Sequence, residues 1–123
     1  MLFDTHAHFD DAKFDADRDA VIRSLKEYGI DYVTNIGADT ASSQASVALA
    51  EKYDFIYAAV GVHPSETEQL SEKDMEILRD LAIAHDKVRA IGEIGLDYHF
   101  APYDAEKQQY WFRRQIRLAK ELK

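Results

Sequence analysis

The sequence predicts an α/β fold of about four βα units, the content of the N-terminal half of a (β/α)8 TIM barrel. Three observations predict it. Short apolar runs rich in β-formers alternate with longer segments whose apolar residues recur at helical spacing. Glycines and capping residues stand where one kind of segment gives way to the other. The third run, Phe55 to Val62, is apolar without alternation, as a strand covered on both faces should be. Four units cannot close a barrel, which takes roughly 250 residues. The pattern alone therefore leaves two architectures open, half of such a barrel or a small open sheet.

Leu2 to Thr5 opens the chain as a short apolar-rich strand. From Asp15 to Tyr28 the residues Val21, Ile22, Leu25 and Tyr28 mark one face of a helix, and Gly29 suits its C-terminal cap. Asp31 to Ile36 is rich in β-formers and ends at Gly37. Asp39 or Thr40 can cap a second helix reaching about Lys52, with Ala45, Ala48 and Leu49 as its small apolar face. Phe55 to Val62 is the third strand, and Pro64 breaks it. Ser71, with Asp74 three positions on, nearly forms a capping box for a third helix buried through Met75, Leu78, Leu81 and Ala82. Val88 to Ile94 is the fourth strand. After a loop with Gly95 and Pro102, a long helix starts at Asp104, with Trp111, Phe112, Gln115, Ile116, Ala119 and Leu122 on one side. The order βαβαβαβα implies a parallel sheet with right-handed crossovers. No linker, low-complexity segment or further repeat interrupts residues 1–123, which read as one domain.

Composition excludes some functions. Cysteine is absent, so disulfides and thiolate metal sites are ruled out and any metal must sit on nitrogen and oxygen. Two prolines, five glycines and 46% hydrophobic residues oppose disorder. The N-terminus has no signal-peptide pattern, and no apolar stretch reaches the length of a membrane span. A cytoplasmic protein without a membrane partner is expected. The net charge of −8 opposes bulk attraction to nucleic acid but does not exclude it as a substrate, because a metal supplies local positive charge.

His6-Ala7-His8 ends the first apolar segment, where parallel α/β folds place their active sites. Strand alternation puts Asp4, His6 and His8 on one face and Phe3, Thr5 and Ala7 on the other. Two imidazoles one strand step apart can reach the same divalent cation, although an isolated H-x-H serves equally as two polar loop residues. Glu93 lies in Ile91-Gly92-Glu93-Ile94-Gly95, at the end of the fourth strand. An ionised carboxylate in an apolar run needs a cationic partner, and the flanking glycines allow close backbone approach. His63, in Val60-Gly61-Val62-His63-Pro64, suits either a backbone-bonded turn or a ligand or substrate role. Asp97, beside Tyr98 and His99, either orients a ligand histidine or caps the turn. His85 reads as a solvated residue, and Arg113, Arg114, Arg117, Lys120 and Lys123 read as a solvated helix face.

Three segments together resemble the TatD family of metal-dependent deoxyribonucleases, within the amidohydrolase superfamily. They are Phe3-Asp4-Thr5-His6-Ala7-His8-Phe9-Asp10, Gly61-Val62-His63-Pro64 and Gly92-Glu93-Ile94-Gly95-Leu96-Asp97-Tyr98. The resemblance runs over essentially the whole chain. It implies a (β/α)8 barrel with one or two divalent ions (Mg, Mn or Zn), His6 and His8 as ligands, and Glu93 as a ligand bridging two ions. It implies hydrolysis of phosphodiester bonds, typically in DNA, by a metal-activated water. His63 would stand at the rim and touch the substrate phosphate, and Asp97 would orient a ligand histidine or contact the substrate. The family pattern continues to two further histidines and an aspartate, the candidate base, none of which occurs here. The chain is therefore expected to be the N-terminal portion of a TatD-like barrel, poorly active alone and prone to associate through exposed half-barrel edges. Competing readings are a related hydrolase of ester or C–N bonds, such as an aminoacyl-tRNA deacylase, and a non-catalytic truncated domain.

Overall fold

The computed structural model describes residues 1–123. Its four strands are β1 (Leu2–Ala7), β2 (Ile30–Ile36), β3 (Ile56–Val60) and β4 (Val88–Ile91). They lie side by side in chain order, all parallel. Between and after them run α1 (Arg18–Ser24), α2 (Thr40–Lys52), α3 (Glu72–Ala84) and α4 (Ala105–Leu122). Four consecutive βα units in one parallel sheet are the N-terminal half of a TIM barrel. The outer strands β1 and β4 leave both edges open.

The core lies between the sheet and its helices. Ile22 of α1, Val33 of β2, Ile56 and Val60 of β3, Leu78 of α3 and Leu118 of α4 are fully buried there. The opposite face of the sheet would look into a barrel. It is open, and Met1, Phe3, Tyr32, Thr34, Tyr57 and Arg89 line a groove of about 590 Å³ on it.

Several local expectations are corrected. The segment Asp15 to Tyr28 is not one helix. A 3-10 turn over Ala12–Phe14 precedes α1, and a second over Leu25–Tyr28 follows it. Gly29 closes that turn at φ 81°, a left-handed conformation that costs glycine little. Tyr28 is exposed, because the tighter winding turns it off the buried face that holds Ile22 and Leu25. On α2 the buried residues are Ser43, Ser46, Val47, Leu49 and Ala50, while Ala48 is exposed. The small polar residues win that face because their hydroxyls satisfy backbone and amide groups below them. β4 stops at Ile91 rather than Ile94, so Glu93 lies on the loop beyond it. On α4 the stripe runs through Gln108, Trp111, Gln115 and Leu118, and Ile116 turns outward.

The caps follow the sequence closely. The Asp39 side chain accepts from Ser42 N at 2.7 Å and caps α2. A capping box joins Ser71 and Asp74 at the start of α3. Asp104 accepts from Lys107 N at 3.0 Å at the start of α4.

Candidate metal centre

The site is built at the C-terminal ends of the strands. β1 reaches it through an irregularity. Phe3 pairs with Tyr32 and Asp4 with Val33, but the next partners are Ala7 and Asn35. Three steps along β1 match two along β2, which is a β-bulge, and the extra residue reverses side-chain parity. Phe3 therefore lies on the open face, its ring 5.9 Å from that of Tyr32, whereas Ala7 enters the helix-side core. Strict alternation from Asp4 through His8 thus fails within the strand. Asp4 instead accepts from His6 N through Oδ1 at 3.1 Å, across the irregular step. His6 and His8, on either side of Ala7, still point together.

The hydrogen bonds fix the protonation of two imidazoles. His8 Nδ1 lies 3.0 Å from Ile36 O. A carbonyl only accepts, so in the neutral ring Nδ1 carries the proton and Nε2 keeps its lone pair. That lone pair faces His6 Nε2 at 3.1 Å and Glu93 Oε2 at 3.8 Å. His63 is set the opposite way. Its Nδ1 accepts from Ser65 N at 3.1 Å, so in the neutral ring the proton sits on Nε2, which faces Glu93 Oε1 at 3.8 Å. One histidine offers a lone pair to the cluster, and the other offers a donor.

Glu93 is delivered by backbone contacts. Gly92 N donates to Val60 O at 3.0 Å, and Glu93 N donates to Gly37 O at 2.7 Å. Gly61 makes this approach possible, since a Cβ there would meet the Gly92 carbonyl carbon at 2.7 Å.

His6, His8 and Glu93 form the one cluster of three or more such donors, with ligand atoms all within 4.8 Å of each other. The donor set fits a cation. His6 Nε2, His8 Nε2 and Glu93 Oε2 are separated by 3.1, 3.4 and 3.8 Å. The point equidistant from three atoms so spaced lies about 2.0 Å from each, within the usual range for zinc bound to nitrogen or oxygen. The chemistry agrees, because two imidazole nitrogens and one carboxylate suit a borderline-hard divalent ion.

Asp97 stands apart from this cluster. Its carboxylate accepts from His99 N at 2.9 Å, and its backbone is held at both ends by Gln108, with each bond 2.8 Å. Tyr98 stacks on Tyr103 with centroids 5.0 Å apart. His85 caps the end of α3 and bonds Glu51 at 3.1 Å. Two ion pairs join the last helix to α3: Arg114 of α4 pairs with Glu72 at 2.9 Å, and Glu121 of α4 pairs with Arg79. The Glu72 carboxylate raises the Arg114 pKa further, and Arg79 lowers that of Glu121.

Sequence reading missed the braces. Ser43 Oγ accepts from Gly61 N and donates to Gly61 O. Gln115 accepts from Val62 N at 2.8 Å and donates to Val62 O at 3.1 Å, immediately before His63. Asn35 accepts from Phe9 N at 2.7 Å, immediately after His8. Their signal in the sequence was a polar residue inside an apolar pattern, since a buried amide or hydroxyl must find partners.

The model of the TatD-related DNase family matches residues 3–123. The chain belongs to the TatD-related DNase family. The metal-dependent hydrolase YabD of Bacillus subtilis is 42% identical over 99% of this chain and 48% of its own length. The 3'-5' ssDNA/RNA exonuclease TatD of Erwinia tasmaniensis is 35% identical over 98% of this chain and 47% of its own. The crystal structure of YjjV, a TatD homologue from Escherichia coli K12, superposes with a TM-score of 0.90 at 34% identity, over 98% of this chain and 47% of that one. The chain thus spans about half the length of the curated relatives it matches. No helix is long and apolar enough to cross a membrane.

Proposed function

We propose that this chain carries the first part of the metal centre of a hydrolase that cleaves phosphodiester bonds in nucleic acid, as a deoxyribonuclease. The convergence of His6, His8 and Glu93 donor atoms from the two ends of the sheet supports this reading most directly. The exonuclease name of the Erwinia relative supports single-stranded nucleic acid as the substrate class. On this reading residues 1–123 are the N-terminal portion of a longer hydrolase barrel.

A bound divalent ion would polarise a phosphoryl oxygen and lower the pKa of a water, bringing hydroxide within reach near neutral pH. The residues of this chain prepare that chemistry. His8 presents an unprotonated Nε2 because Ile36 O holds the proton on Nδ1. Glu93 turns Oε2 toward His6 and His8, where it would help hold an ion, and Oε1 toward His63. His63 offers Nε2–H to a non-bridging phosphate oxygen at the rim. Asp97 stiffens the loop after Glu93 through its bond to His99 N. The cluster contains a single carboxylate, so the base that takes the proton of the water is assigned outside these residues. The isolated chain is therefore a weak catalyst.

The test is hydrolysis by the purified chain of a panel comprising single-stranded DNA, RNA, aminoacyl-tRNA and small esters, with Mg²⁺, Mn²⁺ or Zn²⁺. Slow, chelator-sensitive cleavage of single-stranded nucleic acid that disappears in His6→Ala is expected. Turnover confined to esters or aminoacyl-tRNA would overturn the phosphodiesterase reading.

A further inference from the structure

We infer that Asn35 is a positioning residue for His8, holding the imidazole in the tautomer and place that a metal ligand requires. The inference rests on the metal-centre reading above, but its observations are separate. Asn35 is fully buried in β2, on the face of the sheet that packs against α2. Each polar position of that amide is used. Oδ1 accepts from Phe9 N at 2.7 Å, and Nδ2 donates to Asp10 Oδ1 and to Ser46 Oγ, both at 2.8 Å. The amide therefore grips the two residues that follow His8 and ties them to α2.

The next residue completes the arrangement. Ile36 O receives the His8 Nδ1 proton at 3.0 Å. Two consecutive residues of β2 thus hold His8, one through the backbone after it and one through its ring. The β1 bulge makes such a hold necessary. The register between β1 and β2 is irregular from Asp4 to Ala7, so ladder bonds alone do not fix the chain where it leaves the strand. Asp11 N on His8 O and Arg18 on Phe9 O also hold this stretch, but only Asn35 fixes Phe9 N, and without that bond the peptide after His8 shifts. The ring then loses its alignment with Ile36 O, and the proton redistributes between Nδ1 and Nε2. A proton on Nε2 blocks the lone pair that faces His6 and Glu93. Partners behind a metal-bound histidine are worth about 10–100-fold in metal affinity.

The experiment uses this chain with two readouts. Long-range proton–nitrogen correlation spectra of the metal-free chain report the His8 tautomer, and titration with Mn²⁺ followed by electron paramagnetic resonance reports affinity. The unaltered chain should show His8 protonated on Nδ1. Asn35→Ala should show a mixed tautomer and at least about tenfold weaker Mn²⁺ binding. Leu78→Ala, remote from the cluster, should lower the melting temperature while leaving both readouts unchanged. Should Asn35→Ala fail to fold, the near-isosteric Asn35→Leu fills the same space while still leaving Phe9 N without its acceptor, and the same direction of change is expected. An unchanged tautomer and affinity in a folded variant would overturn the inference. Absence of Mn²⁺ binding by the unaltered chain, with the tautomer still responding to Asn35, would instead sink the metal-centre reading alone.

Discussion

His8 and His63 show how much a single hydrogen bond decides. Both are histidines at strand ends, with indistinguishable chemistry in the sequence. One meets a carbonyl acceptor through Nδ1, and the other meets an amide donor through the same atom. They consequently present a lone pair and a proton to the same carboxylate neighbourhood. The glycines act at this scale too. Gly61 and Gly92 touch through their backbones, and any side chain at Gly61 collides with main chain that has nowhere to move. Gly61→Ala should therefore destabilise the fold by about 1–3 kcal/mol, the usual range for overpacking, and displace Glu93. Denaturant melts of the two proteins check this, and an unchanged midpoint would refute the backbone clash.

Among the elements, amphipathic pattern placed the helices well, and their caps were legible at Asp39, Ser71 and Asp104. The failures share a cause. The α1 segment was read as one helix because periodicity of 3.6 and 3.0 is hard to separate over so few residues, and a turn over residues 15–17 and 3-10 winding over Leu25–Tyr28 claim its two ends. The α2 and α4 faces were read by counting apolar residues. The structure spends those faces partly on Ser43, Ser46 and Gln108, whose value lies in bonds to segments distant in sequence, whereas Gln115 was placed on its face correctly without its partner at Val62. Pattern reading has no access to those partners. The site was legible where its chemistry is local, in His6-x-His8 and in Glu93 between glycines. It was illegible where a bulge altered parity at Asp4. An element-level electrostatic link also emerges between α1 and α2. Asp19 is held well below the usual carboxylate range, first by its bond to Arg23 and then by the Tyr53 hydroxyl at 2.5 Å. A lowered folded-state pKa gives stability that is fully present above about pH 3.9, the ordinary aspartate value, and lost as pH falls through the folded value. The melting temperature of Asp19→Asn should thus lie below that of the unaltered chain by a constant margin from pH 7 to about pH 4, and the margin should close at lower pH. A margin that stays constant into strong acid would contradict the assignment.

At the scale of the whole molecule, the fold presents a finished outer surface and an open inner one. Met1, Leu2, Phe3 and Tyr32 are exposed along the sheet face and edge that a closed barrel would cover. The His6, His8 and Glu93 cluster sits at the top of that open face, and its side chains remain partly exposed, at 52% for His6, 39% for His8 and 31% for Glu93. On the proposed reading, three donors on a half-open surface would leave room for further ligands, consistent with a family whose members run to about twice this length. The most direct measurement is calorimetric titration of the unaltered chain with Mn²⁺, beside His6→Ala, His8→Ala and Glu93→Gln. The structure predicts one saturable ion per chain, lost in each variant while the circular dichroism spectrum stays the same. Binding that persists in all three variants, or none in the unaltered chain, would contradict a metal centre at His6, His8 and Glu93.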